Sequence, residues 1–251
     1  MGDDALTAQV RRLRGDPEIA VLEGFHALKH AMRFRATIEL AVAADLAAAD
    51  ALAAEVAPDL RSALRHLLHQ ADPDVIGLAA PRLPRTGVVA FARRPDDALE
   101  RVRDAPRTRP IVLLEDPRDL GNVGAVIRVA AAADAAAVLT TGDHDPWDPR
   151  AIRGSAGLHF ALPVLRVPSS AAWDRPLVAV DPDGDALSFD GIPPGAVLAF
   201  GTERHGLSDE VLDRATMRVR IPMRQGVSSL NLATAVAVVL FALSLDPPIP
   251  G

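Results

Sequence analysis

The stretch Ile111–Thr140, IVLLEDPRDLGNVGAVIRVAAAADAAAVLT, decides the fold. Ile111–Leu114 is a short apolar run with β-branched residues, the signature of a buried strand. A polar loop with Gly121 follows, and Asn122–Ala133 then carries apolar residues at helical spacing. Ala137–Thr140 (AVLT) returns to strand. A strand, a helix and a second strand in this order predict a parallel crossover rather than a hairpin.

The alternation continues toward the C terminus. Pro149–Ser155 reads as a helical turn or two, Pro163–Val167, Leu177–Val180 and Val197–Phe200 as strands, and Ser208–Arg214 as a short helix capped by Ser208. Met217–Ile221 reads as a strand and Ser229–Leu245 as a long apolar helix with Ser228 or Ser229 as its cap. The fold class is therefore α/β, with a mostly parallel sheet flanked by helices and ligands expected at the carboxyl ends of its strands.

Toward the N terminus, prolines 81, 84, 95, 106 and 110 mark loops and a linker at about residues 93–109. Gly87–Ala92 is one short strand inside this region. Residues 17–29 read as a strand and a helix, Thr37–Ala43 as a strand, and Ala47–Val56 and Leu60–His69 as helices. The expected organisation is a small N-terminal α/β domain, 1–104, and a larger domain, 105–251.

Composition narrows the function classes. At 251 residues, with 49% hydrophobic and 24% charged residues, the chain has the make-up of a globular protein. It contains no cysteine, which excludes disulfides, thiolate metal sites and a cysteine nucleophile. The longest apolar run, Leu232–Leu243, is too short for a bilayer, which needs about 20 residues. A soluble, cytoplasmic protein is expected. The net charge is −6, carried entirely by residues 111–251, while residues 1–110 balance 16 basic against 16 acidic side chains. Any nucleic acid must then be held by local patches rather than by an overall basic field. Arg82, Arg85, Arg93, Arg94 and Arg118 are candidate phosphate contacts or simply solvated residues.

Three loops after buried strands combine glycine with polar groups. In Glu115–Arg128, Asn122 can cap the following helix, and Arg128 lies nearly two turns further on. Its G-x-x-G spacing departs from a dinucleotide fingerprint. In Phe200–Gly206 (FGTERHG), three ionisable residues follow a buried strand, which fits a polar turn or a site. In Ile221–Asn231, capping accounts for one serine but not for a second serine and Asn231 as well. Taken singly, each loop admits an ordinary structural explanation.

Taken in order, they resemble the motifs of the SpoU/TrmH methyltransferases of the SPOUT superfamily. Asn122-Val-Gly124-Ala-Val-Ile-Arg128 resembles the first, Gly201-Thr-Glu203-Arg-His-Gly206 the second, and Ile221-Pro222-Met223 with Ser229-Leu230-Asn231 the third. Arg153-Gly-Ser155-Ala-Gly157 resembles a further family segment. Glu23-Gly24-Phe25-His26-Ala27-Leu28 resembles the small substrate-binding domain that many members carry. Two positions depart from the pattern: Ala133-Asp134 replaces an aromatic–glycine pair, and Leu232-Ala233 replaces Val-Ser.

The resemblance implies a deep trefoil knot in the C-terminal domain and S-adenosylmethionine-dependent methylation of a ribose 2′-hydroxyl in RNA. Ribosomal RNA is favoured over transfer RNA because of the extra N-terminal domain. The implied catalytic set is Asn122, Arg128, Glu203, Ser229 and Asn231, with Glu203 able to pair with Arg128. The implied cofactor-binding set is Phe200, Gly201, Thr202, Gly206, Ile221, Pro222, Met223, Ser229 and Leu230. No metal is implied. A homodimer is implied, with Ser229–Leu245 as a candidate interface helix or a plain core helix. The alternatives are a non-catalytic RNA-binding relative and, more remotely, a nicotinamide oxidoreductase.

Overall fold

The computed structural model describes residues 3–80, 83–186, 191–202 and 205–245. In the first part of the chain the elements are α1 (Asp3–Arg14), β1 (Ile19–Glu23), α2 (Phe25–Arg33), β2 (Ile38–Ala43), α3 (Leu46–Val56), α4 (Arg61–Leu67), β3 (Leu68–Gln70), α5 (Pro73–Ala79) and β4 (Val88–Arg93). Then come α6 (Ala98–Arg103), β5 (Ile111–Leu114), α7 (Leu120–Ala132), β6 (Ala137–Thr140) and α8 (Pro149–Ser155). The chain continues through β7 (Val164–Arg166), β8 (Leu177–Ala186), β9 (Val197–Phe200), α9 (Asp209–Arg214), β10 (Met217–Arg220) and α10 (Leu232–Leu245). Among the described residues, no helix is long and apolar enough to cross a membrane.

Two units result. One joins Met1–Asp96 with Trp147–Ala161, and the other joins Asp97–Pro146 with Leu162–Gly251. The first contains a four-stranded sheet of order β1-β4-β2-β3, in which β4 runs antiparallel to β1 and β2, and β3 parallels β2. Its core gathers Ile19, Val21, Leu40, Val42, Val89 and Phe91 with Val75 and Ile76 of α5. The α1 residues Leu6, Val10 and Leu13, spaced on one helical face, complete that core.

The second unit holds a six-stranded sheet of order β10-β8-β9-β5-β6-β7, and every neighbouring pair is parallel. Both faces of a parallel sheet are covered by helices, and β5, β6 and β9 are buried throughout. Register aligns the ends of β5 and β9 with the middle of β8, since Leu114 pairs with Phe200 and Phe200 with Val180. The loops that leave β5 and β9 therefore emerge beside Val180, from which β8 runs on to Ala186.

The structure departs from the sequence reading in several places. The expected break between 104 and 105 falls at Asp96/Asp97, because α6 buries Ala98 and Val102, and Val102 joins the core of the second unit. Trp147–Ala161 leaves the expected C-terminal domain for the first unit, where α8 packs on β1. A methyl group on Gly157 would meet the Ala27 carbonyl oxygen at 2.5 Å, so this contact is backbone against backbone. α1 was not anticipated. The helix expected over Leu60–His69 stops at Leu67, and Leu68–Gln70 pairs with β2 instead. α5 starts at Pro73, a position where the missing amide hydrogen costs nothing.

Candidate active site

The loop after β9 folds back on itself. Thr202 and Gly206 exchange backbone hydrogen bonds of 3.0 and 3.1 Å, and the Thr202 hydroxyl accepts from the His205 amide at 3.0 Å. Gly201 makes this fold possible: a Cβ there would lie 2.0 Å from the Gly206 carbonyl carbon and 2.3 Å from the Leu207 nitrogen. The far end is tied down by Glu115, at the exit of β5. Its carboxylate accepts from the Ser208 amide at 2.7 Å and from the Ser208 hydroxyl at 2.5 Å. Ser208 in turn caps α9 by accepting from the Val211 amide at 3.3 Å, as the sequence predicts.

A cavity of about 340 Å³ opens beside this loop. Phe200, Gly201, Thr202 and Gly206 form one wall, and Ile221, Met223, Ser228, Ser229 and Leu230 form another. Leu232 and Ala235 of α10 also line it. Of the residues expected at a cofactor site, only Pro222 is not among the lining residues. A third wall, Val180, Asp181 and Pro182 within β8, lies outside the three motifs. The apolar run Leu177–Val180 gives way there to Asp181-Pro-Asp183-Gly184, yet β8 continues through these residues to Ala186. Size and composition suit a nucleoside-sized ligand held largely by apolar contact and backbone groups.

Two helices meet next to this cavity. Asp119, not Asn122, caps α7: its carboxylate accepts from the Gly121 amide at 2.7 Å and the Asn122 amide at 3.1 Å. Likewise neither Ser228 nor Ser229 caps α10, which begins three residues later than expected, at Leu232. Asn231 takes that role, its Oδ1 accepting from the amides of Ala233 at 3.0 Å and Thr234 at 3.3 Å. Asparagine is as good a cap as serine, and its use here leaves both serines to line the cavity. The Asn231 Nδ2 donates to the Asn122 Oδ1 at 3.0 Å, so two of the expected catalytic residues are in direct contact.

Arg128 lies further along α7 and is exposed. Among the described residues it has no hydrogen bond or ion pair. Its expected partner, Glu203, lies outside the described residues, as does Arg204. Of the candidate phosphate contacts, Arg93 pairs with Glu39 at 2.8 Å and Arg118 with Asp116 at 2.6 Å, while Arg94 lies 5.9 Å from the Trp147 ring centre. Arg85 is exposed, and Arg82 lies outside the described residues.

The Arg153–Gly157 segment belongs to the first unit. There Arg153 pairs at 2.6 Å with Glu23, the first residue of the other motif of that unit. Burial pushes the Glu23 carboxyl above its ordinary value, against the pull of Arg153. The Ser155 hydroxyl, fully buried, donates to the Ile152 carbonyl and accepts from the Gly157 amide at 3.1 Å, with the His159 Nδ1 2.8 Å away.

Comparison with known proteins identifies the family. Residues 109–241 match the model of the SpoU rRNA Methylase family. A 23S rRNA (uridine(2479)-2′-O)-methyltransferase of Streptomyces viridochromogenes is 33% identical over 202 residues, 70% of this chain and 69% of that protein. A 23S rRNA (adenosine(1067)-2′-O)-methyltransferase of Streptomyces laurentii is 34% identical over 141 residues, and only about half of either chain, 52%, is matched. The crystal structure of the SpoU methyltransferase AviRb from Streptomyces viridochromogenes, in complex with the cofactor AdoMet, superposes with a TM-score of 0.76 at 26% identity, covering 95% of this chain and 96% of that one.

Proposed function

The chain belongs to the SpoU rRNA methylase family, and from that premise we propose that it methylates the 2′-hydroxyl of a ribose in RNA, with ribosomal RNA favoured over transfer RNA. The observation that carries this reading is the cavity walled by the loop after β9, the loop after β10 and the middle of β8, with the Asn122–Asn231 contact at its edge. S-adenosylmethionine, when bound, supplies a methyl group already activated by a positively charged sulfur. The cavity fits that molecule: the walls are mostly apolar, and Gly206 faces open space where a side chain would intrude. Phe200, Gly201, Thr202, Gly206, Ile221, Pro222, Met223, Ser229 and Leu230 are the residues proposed to hold it.

With the donor activated, the protein has to position the ribose and favour loss of its proton. Arginine stays protonated in proteins, so Arg128 is proposed to hold a substrate phosphate and stabilise negative charge developing on the 2′-oxygen. Its freedom from ion pairs among the described residues suits a group that waits for a substrate anion. Asn122 and Asn231, locked together, set the start of α7 and hence the position of Arg128, and Ser229 and Glu203 complete the proposed site. The 2′-hydroxyl itself dictates RNA rather than DNA.

The remaining family traits belong to the same reading. The first unit is proposed as the RNA-recognition domain. The C-terminal unit is proposed to form the trefoil knot. A homodimer is proposed through α10, whose outer stripe leaves Val238 and Phe241 38% and 43% exposed while Leu232, Val236, Val239 and Leu240 are buried. A cytoplasmic location is consistent with the absence of cysteine.

The test is incubation of the purified chain with radiolabelled S-adenosylmethionine and ribosomal or transfer RNA, followed by nucleoside analysis. Label in a 2′-O-methylnucleoside is expected. RNA binding without affinity for S-adenosylmethionine by calorimetry would replace the enzyme by a non-catalytic relative.

A further inference from the structure

We propose that Asp181 is the anionic recognition residue of the cavity, giving it a charged acceptor for the hydrogen-bond donors of S-adenosylmethionine and a negative charge that matches the positive charge of that molecule. The inference rests on the reading of the cavity as the cofactor site.

Four observations place the residue. Asp181 follows Val180, which pairs with Phe200, so it stands beside the loop that forms the opposite wall. Among the described lining residues it is the only one with a charged side chain; the rest offer hydrocarbon, hydroxyl or backbone. It is 9% exposed. Finally, its two oxygens are treated differently. Oδ1 accepts from the Asp183 amide at 2.9 Å and from an Arg218 Nη at 3.1 Å, whereas no group among the described residues bonds to Oδ2.

A carboxylate in an apolar cavity is costly unless its charge and lone pairs are met. Arg218 meets part of the charge, but its side chain is 43% exposed and reaches only Oδ1. The Asp183 amide and Arg218 fix the orientation of the carboxylate and leave one oxygen for a ligand. S-adenosylmethionine brings several complementary groups: ribose hydroxyls, an adenine amine, an ammonium and a sulfonium, with one carboxylate, for a net charge of +1. Loss of the methyl group removes the sulfonium charge. A negative charge in the cavity therefore favours the methyl donor over the spent product.

The experiment is calorimetric titration of the full chain with S-adenosylmethionine, S-adenosylhomocysteine and 5′-methylthioadenosine. Asp181→Asn keeps the shape and removes the charge, and melting curves check its folding. It is expected to weaken S-adenosylmethionine by about 10- to 100-fold, the usual effect of a hydrogen bond to a charged group. An equal loss for all three ligands assigns the contact to the nucleoside. A loss confined to the two ligands with an amino-acid tail assigns it to the ammonium, and a loss largest for S-adenosylmethionine to the sulfonium. Arg218→Gln leaves the carboxylate in place without its cation and is expected to raise the preference for S-adenosylmethionine over S-adenosylhomocysteine. The proposal is overturned if wild type binds but both variants keep all three affinities within twofold. Failure of the wild type to bind any of the three overturns the cofactor reading and this proposal with it.

Discussion

The side chain of Asn231 ties the start of α10 to the first turn of α7 through Asn122, 109 positions away in sequence. Its Oδ1 caps α10, and its Nδ2 donates to Asn122 near the start of α7 at 3.0 Å. One residue thus holds a fold-stabilising role and a site-building role with different atoms. Asn231→Asp separates them, since aspartate caps as well as asparagine but cannot donate to Asn122. Asn231→Ala should lower stability by about 1 kcal/mol and abolish most methyl transfer. Asn231→Asp should recover the stability and not the activity. Urea denaturation and a methylation assay measure the two, and full activity in Asn231→Asp would show that the contact is incidental.

Arg128 gives the sharpest test of the proposed chemistry. It is exposed, stands off the cavity lining, and has no ion pair among the described residues. Arg128→Ala should therefore cost little stability and leave the dissociation constant for S-adenosylmethionine within about twofold. Methyl transfer should fall by at least about 100-fold, the scale seen when one electrostatic donor is removed from a reacting oxygen. Arg128→Lys should recover little, because a point charge does not replace the bidentate fork. A near wild-type rate in Arg128→Ala would place the catalytic cation elsewhere.

The sheet was legible because buried parallel strands are short apolar runs, and Ile111–Leu114, Ala137–Thr140 and Val197–Phe200 stand where the sequence puts them. The caps were less legible. Asp119 and Asn122 compete for one helix start, and Ser228, Ser229 and Asn231 for another, and only three-dimensional geometry decides which side chain reaches the free amides. Asp181 escaped notice because nothing local distinguishes a carboxylate lining a cavity from one in a solvated turn. The migration of Trp147–Ala161 into the first unit escaped for a different reason. It is held by contacts between distant parts of the chain, among them Gly157 against the Ala27 backbone and Arg153 against Glu23, that no periodicity announces.

Glu115 and Ser208 form a tie that periodicity could not reveal either. The carboxylate grips both donors of Ser208 and so fixes the end of the loop that contains Gly201 and Gly206. Glu115→Gln and Ser208→Ala should each destabilise the protein. In the double variant the losses should fall short of the sum by about 1 kcal/mol, as expected for residues that share one interaction. Additive losses in urea denaturation would mean that the contact carries no coupling energy.

The two glycines of that loop should respond very differently to alanine. At Gly201 the new methyl group would meet backbone atoms at 2.0–2.3 Å, and neither side can yield without opening the loop. Gly201→Ala should therefore abolish calorimetric binding of S-adenosylmethionine. At Gly206 the methyl group would enter open space, and the cost is the positive φ of +65°, about 1–2 kcal/mol. Gly206→Ala should fold with a modestly lowered melting temperature. Retained binding in Gly201→Ala would show that the loop is not rigid at this point.

Glu23 and Arg153 predict a pH-dependent stability in the first unit. The Glu23 side chain is only 6% exposed, and burial raises its carboxyl above the ordinary value even with Arg153 at 2.6 Å. A folded-state value above the unfolded one means that the native state holds the proton more tightly. Stability from this group is then fully present below the unfolded value and declines as pH rises through the folded one. Arg153→Ala removes the main compensating charge and should raise the carboxyl further. The variant should lose about 1–2 kcal/mol at pH 7, where an ionised Glu23 is left buried without its partner, and the solvent exposure of Arg153 keeps the figure from being larger. The loss should shrink as pH falls toward 5, because Glu23 then takes up a proton in the folded state before it does so in the unfolded one. Denaturation curves of wild type and variant at pH 7 and pH 5 measure the difference directly. A stability loss that is the same at both values would mean that Arg153 acts through packing alone.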